Sequence, residues 1–191
     1  MAGVHVARQD STPMVLIVGQ VARGVRGRDA FQEVDFGKTF ADVAKLVIEI
    51  DDADRIPEVM NRAWHVAMNG RPGPVVLVVP EDMLTDETGA LPGPRVVAVE
   101  PGPDGGAMEE LQRLLQASAR PVVILGGSRW DAVSVSRVQQ WASTASLPVA
   151  VSFRRQRLFA ADHPCFAGDL GLGANPELIA LIKASDLVIL L

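Results

Sequence analysis

Cysteine is almost absent: Cys165 stands alone among 191 residues, so no internal disulfide framework exists and a reducing compartment fits. Basic residues do not dominate. Eighteen Lys and Arg face 23 Asp and Glu, and the net charge of −5 favours neither nucleic acid nor an anionic membrane surface as a partner. No apolar run approaches the ~20 residues of a membrane span, and the first ten residues lack the basic-then-apolar layout of a signal peptide. Cytoplasmic residence is therefore the expectation. Internal repeats and low-complexity tracts are missing too. So are the short catalytic signatures: Gly-x-Ser-x-Gly, His-Glu-x-x-His, Cys-x-x-Cys, the Walker loop and Gly-x-Gly-x-x-Gly. His5, His65 and His163 are scattered. No catalytic residue and no metal ligand is expected within these residues, and Cys165, opening an apolar stretch, reads as packing.

What is present is apolar. At 48% hydrophobic residues the chain can build a core, as one large domain or two small ones. Val75-Val76-Leu77-Val78-Val79 lies between Gly70-Arg71-Pro72-Gly73-Pro74 and Pro80-Glu81-Asp82. Such a run predicts a strand buried on both faces of a parallel sheet, bounded by prolines that cannot donate to a ladder. Met14–Val18 reads as a second such strand, and Lys45–Ile50 as a short third. Asp51, Asp52 and Asp54 are N-cap candidates for a helix whose stripe is Ile56, Val59, Met60, Ala63, Trp64 and Ala67. Met60 and Trp64 are therefore expected in the core, His65 as structural, and Asn69-Gly70 as the stop. Between the first two strands lies a loop with Gly24, Gly27, Arg23, Arg26 and Arg28. Loops at the carboxyl ends of parallel strands bind ligands. Two readings stand for it: an anion cradle, or a solvated or interface loop.

Residues 83–105 carry four prolines among several glycines, the composition of a linker. Beyond it, Met108, Leu111, Leu114 and Leu115 predict a helix with Glu109 and Glu110 in its first turn. Strands follow at Pro121–Leu125, Pro148–Ser152, Cys165–Gly168 and Asp186–Leu191. Helices are predicted near 130–144, with Trp130, Val133, Val138 and Trp141 on one side, and from Asn175, a good N-cap before Pro176. The fold class is α/β, with parallel sheets flanked by helices in three layers, the second unit being Rossmann-like.

Five short motifs occur in register: Gly19-Gln20-Val21-Ala22, Asp29-Ala30-Phe31-Gln32-Glu33, Asp54-Arg55-Ile56-Pro57, Gly70-Arg71-Pro72-Gly73-Pro74-Val75 and Pro80-Glu81-Asp82. Together they resemble the acetolactate synthase large-subunit branch of the thiamine diphosphate-dependent enzymes. The resemblance implies that residues 1–82 are the second half of that family's pyrimidine-binding domain. It makes 83–105 a linker and 106–191 most of the central domain. Phe31 and Gln32 match residues that line the reaction pocket from a partner subunit, with packing at a dimer interface as the other reading. Where the family's central domain holds FAD, its glycines align with Gly126 and Gly127. Its contacts after the next strand align with Ser152 and Phe153, and its Leu-Gly-Met-His segment with Leu170, Gly171, Leu172 and Gly173. The chain departs from that pattern at Leu172 and Gly173, and at Phe153 and Arg154. Another nucleotide, or none, is therefore an open alternative.

The resemblance further implies thiamine diphosphate and Mg²⁺ as the cofactors of the parent enzyme and a 2-oxo acid as its substrate. It implies a reaction that forms or breaks a carbon–carbon bond, and a homodimeric or homotetrameric assembly. The family's ylide-forming glutamate precedes the position matching Met1, and its metal-binding Gly-Asp-Gly…Asn segment follows the position matching Leu191. The expectation is a fragment without turnover of its own; the alternative is a nucleotide-binding or scaffolding module.

Overall fold

The computed structural model describes residues 1–191, which form two compact units, Met1–Glu100 and Pro101–Leu191. No helix is long and apolar enough to cross a membrane.

In the first unit, strands β1 (Met14–Gln20), β2 (Leu46–Glu49) and β3 (Pro74–Pro80) pair in parallel in the order β1-β3-β2. Strand β3 begins and ends at its prolines, and all seven residues are buried. Its side chains alternate between two cores, as the pleat requires. Val75, Leu77 and Val79 meet Val59, Ala63 and Ala67 of helix α3 (Ile56–Met68). Val76 and Val78 meet Val4 of α1 (Ala2–Gln9) and Phe40 of α2 (Phe36–Phe40). The layers are thus helix, sheet, helices.

Strand β1 departs from the expectation of full burial. It is one of the two edge strands, and Ile17 is 61% exposed; an apolar, β-branched run marks a strand but not its place in the order. Trp64 is likewise not core. It is 41% exposed, while Val59, Ala63 and Ala67 fill the buried stripe. A stripe six residues wide exceeds what one sheet face covers, and the bulky residue at its margin stays outside. His65 is exposed, with its ring near the Asn69 amide. Asp52 caps a 3₁₀ turn at Ala53–Arg55, whereas α3 itself starts at Ile56, with Arg55 at its N-cap position and Pro57 in its first turn. Asn69 closes the helix and Gly70 adopts φ +59°. The Lys45 ammonium donates to the carbonyls of Val66 and Asn69 at this end, supplying orphan acceptors of the last turn.

Residues 86–100 have no regular structure but are tied to α3 and its flanks. Thr88 donates to Asp54 at 2.6 Å, Asn61 to the Pro94 carbonyl at 3.1 Å, and the Val99 amide to Asn69 Oδ1 at 2.7 Å.

The second unit contains α4 (Gly105–Ala117), β4 (Pro121–Leu125), α5 (Ala132–Ala145), β5 (Val149–Ser152), β6 (Phe166–Leu170), α6 (Pro176–Ala184) and β7 (Leu187–Leu190). The sheet is parallel in the order β6-β5-β4-β7. Counted within the unit this is 3-2-1-4, the first four positions of the doubly wound order 3-2-1-4-5-6. Val123, Leu125, Val149 and Val151 form one core with Leu111, Leu115, Val138 and Trp141. On the other face Leu178 of α6 packs over Gly168, and Asn175 caps α6 as expected. Three details differ from the sequence reading. Helix α4 begins at Gly105, capped by Asp104, which leaves Glu109 and Glu110 beyond its first turn. Val133 is exposed, and Trp130 precedes α5. Strand β6 starts one residue and ends two residues later than Cys165–Gly168, and the Cys165 thiol donates to the Ala142 carbonyl.

Asp186 stitches this unit together. Its carboxylate accepts from the Ser118 hydroxyl and from the Ala119 and Arg120 amides at 2.9 and 2.8 Å. Those donors, the hydroxyl foremost, lower its pKa from 3.8 to about 2. A carboxylate favoured in the fold contributes stability above its unfolded pKa, and that contribution fades as pH falls toward about 2. In Asp186→Asn, thermal unfolding should show a lowered midpoint at pH 6 and a narrowed gap to the parent between pH 4 and pH 2. An undiminished gap at pH 2 would contradict this.

Candidate functional sites

Two loop clusters stand at the carboxyl ends of the sheets, one in each unit.

In the first unit, the chain leaves β1 at Gln20, whose side chain is buried. Gln20 Nε2 donates to the Val34 carbonyl at 2.7 Å, and Oε1 accepts from the Val21 amide at 2.9 Å. Both roots of the loop 21–34 are thereby fastened to one side chain. Arg23 is held by Asp82, through its amide and Nε at 2.9 Å each, by Asp86 at 2.9 Å and by the Asp51 carbonyl at 2.8 Å. The pKa of Asp82 is lowered, first by the Arg23 amide and then by its guanidinium, and that of Arg23 is raised in return. Arg26 is ion-paired with Glu49 at the end of β2. Burial raises the pKa of Glu49, with Arg26 opposing and Asp51 adding to the rise.

These pairings overturn the anion-cradle reading. Two of the three arginines are spent on carboxylates, and the cleft beside Arg23 is lined by Asp51, Asp52, Asp54, Asp86 and Glu87. A phosphate would meet negative charge there. The rest of the loop, Arg26 to Gly37, encloses a pocket of about 610 Å³ with Gln20, Val47 and Glu49.

At the tip, Phe31 is 89% exposed and Gln32 is exposed with φ +69°. Left-handed backbone in a non-glycine residue is costly and persists where its surroundings impose it. The neighbouring Glu33 ties the loop back on itself: its amide donates to the Ala30 carbonyl at 2.9 Å, and its carboxylate accepts from the Gly27 and Ala30 amides. Those amides lower the Glu33 pKa, Gly27 contributing most.

In the second unit, the residues aligned with a dinucleotide contact set do come together. Gly126 follows β4, Ser152 ends β5 and Leu170 ends β6, with Ser152 and Leu170 directly paired. A side chain on Gly126 would meet Ser152 Oγ at 3.1 Å, and the Gly126 amide donates to the Leu191 carbonyl at 2.7 Å. That contact joins β4 to β7, where the strand order reverses, the place at which open α/β sheets bind ligands. Gly127 has φ +63°, and Trp130 donates to the Gly126 carbonyl at 2.7 Å. Phe153 and Leu172 are exposed and Gly173 has φ +77°. Gly171 would place a side chain 3.3 Å from Asp169 Oδ1.

Sequence reasoning assigned no role to Asp169. Its Oδ2 accepts from Gln156, while Oδ1 is buried without a partner. The signal was a carboxylate interrupting an apolar strand. At the opposite end of this sheet, the Ser143 hydroxyl donates to the Gln139 carbonyl and lies 3.0 Å from His163 Nε2. The His163 Nδ1 accepts from the Cys165 amide at 3.1 Å. The imidazole therefore carries its proton on Nε2 toward serine, the wrong tautomer for activating a nucleophile. No group of three or more His, Cys, Asp or Glu side chains is placed to hold a metal ion.

Residues 108–191 match the family model described as thiamine pyrophosphate enzyme, central domain. Over 97% of its length this chain is 31% identical to an acetolactate synthase of Mycobacterium bovis, of which it covers 31%. It is 32% identical over 97% of its length to the acetolactate synthase isozyme 1 large subunit of Escherichia coli K12, covering 33%. The chain thus spans about a third of the length of the curated relatives it matches. Among solved structures, a thiamine diphosphate-dependent 4-hydroxybenzoylformate decarboxylase of Rhodococcus jostii RHA1 superposes with TM-score 0.79 at 25% identity. That match covers 98% of this chain and 36% of the decarboxylase.

Proposed function

From the premise that this chain is of the acetolactate synthase-like thiamine diphosphate enzyme type, we propose that it forms the wall and scaffold of an enzyme acting on 2-oxo acids. The reaction joins or cleaves a carbon–carbon bond beside the carbonyl. The observation that carries this reading is similarity along nearly the whole chain to acetolactate synthases, together with the decarboxylase superposition. Thiamine diphosphate, when bound, supplies a nucleophilic carbon and an electron sink.

This chain's own part is placement. Phe31, projecting from a fastened loop, offers an apolar wall to a reaction pocket shared with a second copy in a homodimer or homotetramer. Gln32 beside it offers an amide to substrate or cofactor. The exposure of Phe31 fits a residue that a second copy covers. Mg²⁺ belongs to the parent enzyme in this reading, and no step by these residues passes through it.

The test uses the full reading frame containing residues 1–191, supplied with thiamine diphosphate and Mg²⁺ and offered pyruvate, 2-oxobutyrate, glyoxylate and benzoylformate. Carbon dioxide release or carboligation is expected with at least one, and Gln32→Ala should lower kcat/KM roughly tenfold, the worth of one hydrogen bond. The 191-residue polypeptide alone should form no acetolactate. No turnover by the full frame on any of the four acids would overturn the reading.

A second reading, a nucleotide module, is favoured by one observation. Asp169 Oδ1 is a buried acceptor without a donor at the ligand-binding end of the sheet, and a ribose hydroxyl would supply one. Gly126, Gly127, Ser152, Phe153 and Leu170–Gly173 would line a dinucleotide there, FAD among the candidates. A flavin absorption band, or a thermal shift with FAD, NAD or ADP that Asp169→Ala removes, supports this reading. A colourless protein without any shift favours a scaffold.

A further inference from the structure

We propose that Glu33 is a positioning residue: its carboxylate, spanning the loop between Gly27 and Ala30, presets the Phe31–Gln32 tip before any partner or ligand arrives. This rests on the proposed function only in what the tip is for. The geometry itself needs no cofactor.

Three backbone conformations in the loop are left-handed: Gly27 at φ +73°, Asp29 at φ +57° and Gln32 at φ +69°. Glycine accepts such an angle freely and aspartate at a modest cost, whereas glutamine is rarely found there. A free loop would relax both. What prevents relaxation is a set of fastenings at different depths. Gln20 grips Val34 at the base, and Arg23 is locked to Asp82 and Asp86. Arg26 reaches Glu49 on the neighbouring strand. Those hold the roots. Inside the tip a main-chain bond from the Glu33 amide to the Ala30 carbonyl, 2.9 Å, turns the chain at Phe31 and Gln32. The one side-chain fastening there is Glu33, whose two oxygens take the amides that flank residues 28 and 29.

Hydrogen bonds to an ionised acceptor are about twice as strong as neutral ones, so the carboxylate charge matters as well as its shape. An exposed aromatic ring beside a strained polar residue, held by an internal anion, is a preformed contact surface. Preorganisation of this kind removes the ordering cost of binding.

Arg28 is exposed within the braced segment, so trypsin cleavage after it reports opening of the tip. The purified 191-residue chain is the sample. Cleavage after Arg28 should be slow in the parent and roughly tenfold faster in Glu33→Ala, because cleavage tracks the open population. Glu33→Gln, which keeps one strong acceptor and loses the charge, should fall between them. The Gly27 and Ala30 amide resonances of the parent should titrate together, with a midpoint below the ordinary glutamate value of 4.5.

A merely structural role would not move that shared titration, and Phe31→Ala should leave both readouts unchanged. Equal cleavage rates in all three forms, or amides that do not follow Glu33, would overturn the brace. Should Glu33→Ala unfold, Glu33→Gln and the parent titration still decide. Failure of turnover in the full enzyme would overturn the proposed function and leave the brace intact.

Discussion

Phe159→Ala should cost the second unit about 3–5 kcal/mol, the usual range for emptying a buried aromatic site. Phe159 is 2% exposed and shares a core with Leu125, Val149 and Val151. Its ring meets His163 edge-on at 4.7 Å between centroids and stacks against Phe166 at 6.4 Å. It also ends the 3₁₀ turn Gln156–Leu158 that follows β5. Truncation therefore leaves a cavity beneath the segment from which Gln156 reaches Asp169. Small domains are stable by only about 5–15 kcal/mol in total, so the loss is a large share. Urea unfolding followed through the Trp130 and Trp141 fluorescence should show a lower midpoint with an unchanged slope. A loss below about 1 kcal/mol, the scale of a typical peripheral substitution, would mean that the ring is not the keystone its burial indicates.

Leu77→Ala should cost the first unit about 2–5 kcal/mol. Leu77 is fully buried in the middle of β3, with Ile17 of β1 and Ile48 of β2 as its register neighbours. Helix α3 closes over it through Val59, Ala63 and Ala67. Ile17→Ala is the control. It removes a similar volume of β-strand hydrocarbon one strand away, but from a side chain that is largely in solvent. Its cost should stay within about 0.5 kcal/mol. Amide exchange along β3 measures both. Equal losses for the two variants would show that strand propensity, rather than burial between two layers, dominates here.

Much of the candidate chemistry was legible before any coordinates. Gly126 and Ser152 each follow or end an apolar run, and parallel strands bring such ends to one edge; Leu170 was singled out only by the family resemblance, beyond the strand expected at Cys165–Gly168. Phe31 and Gln32 were legible only through family motifs, because nothing in their spacing specifies exposure. Glu33 was not legible as a brace, since its partners are backbone amides whose direction depends on left-handed residues. Asp169 was hidden by the register of β6. A slip of one residue against β5 between Phe166 and Gly168 moves the strand onward, and single-chain periodicity does not register such a slip.

Helices α1 and α2 were missed for a related reason. Helix α1 has no side-chain N-cap and carries Gly3. Arg71, sixty or more residues away, donates to Ser11 and to the carbonyls of Arg8 and Gln9 at its end. Helix α2 has only five residues, with Gly37 among them.

By itself, then, the order of residues determined the long strands, the long helices, their bounding prolines and the alternation of strand and helix. Each of these is decided within a window of a few residues, by backbone sterics and by side-chain period. Only the tertiary structure decided that Arg23 and Arg26 face carboxylates rather than a ligand, that Ile17 and Trp64 lie outside the core, and that the Glu33 carboxylate accepts from two amides of its own loop. Those outcomes depend on groups such as Arg23 and Asp82, 59 residues apart along the chain. No local rule relates such groups until the sheet has brought its carboxyl ends together.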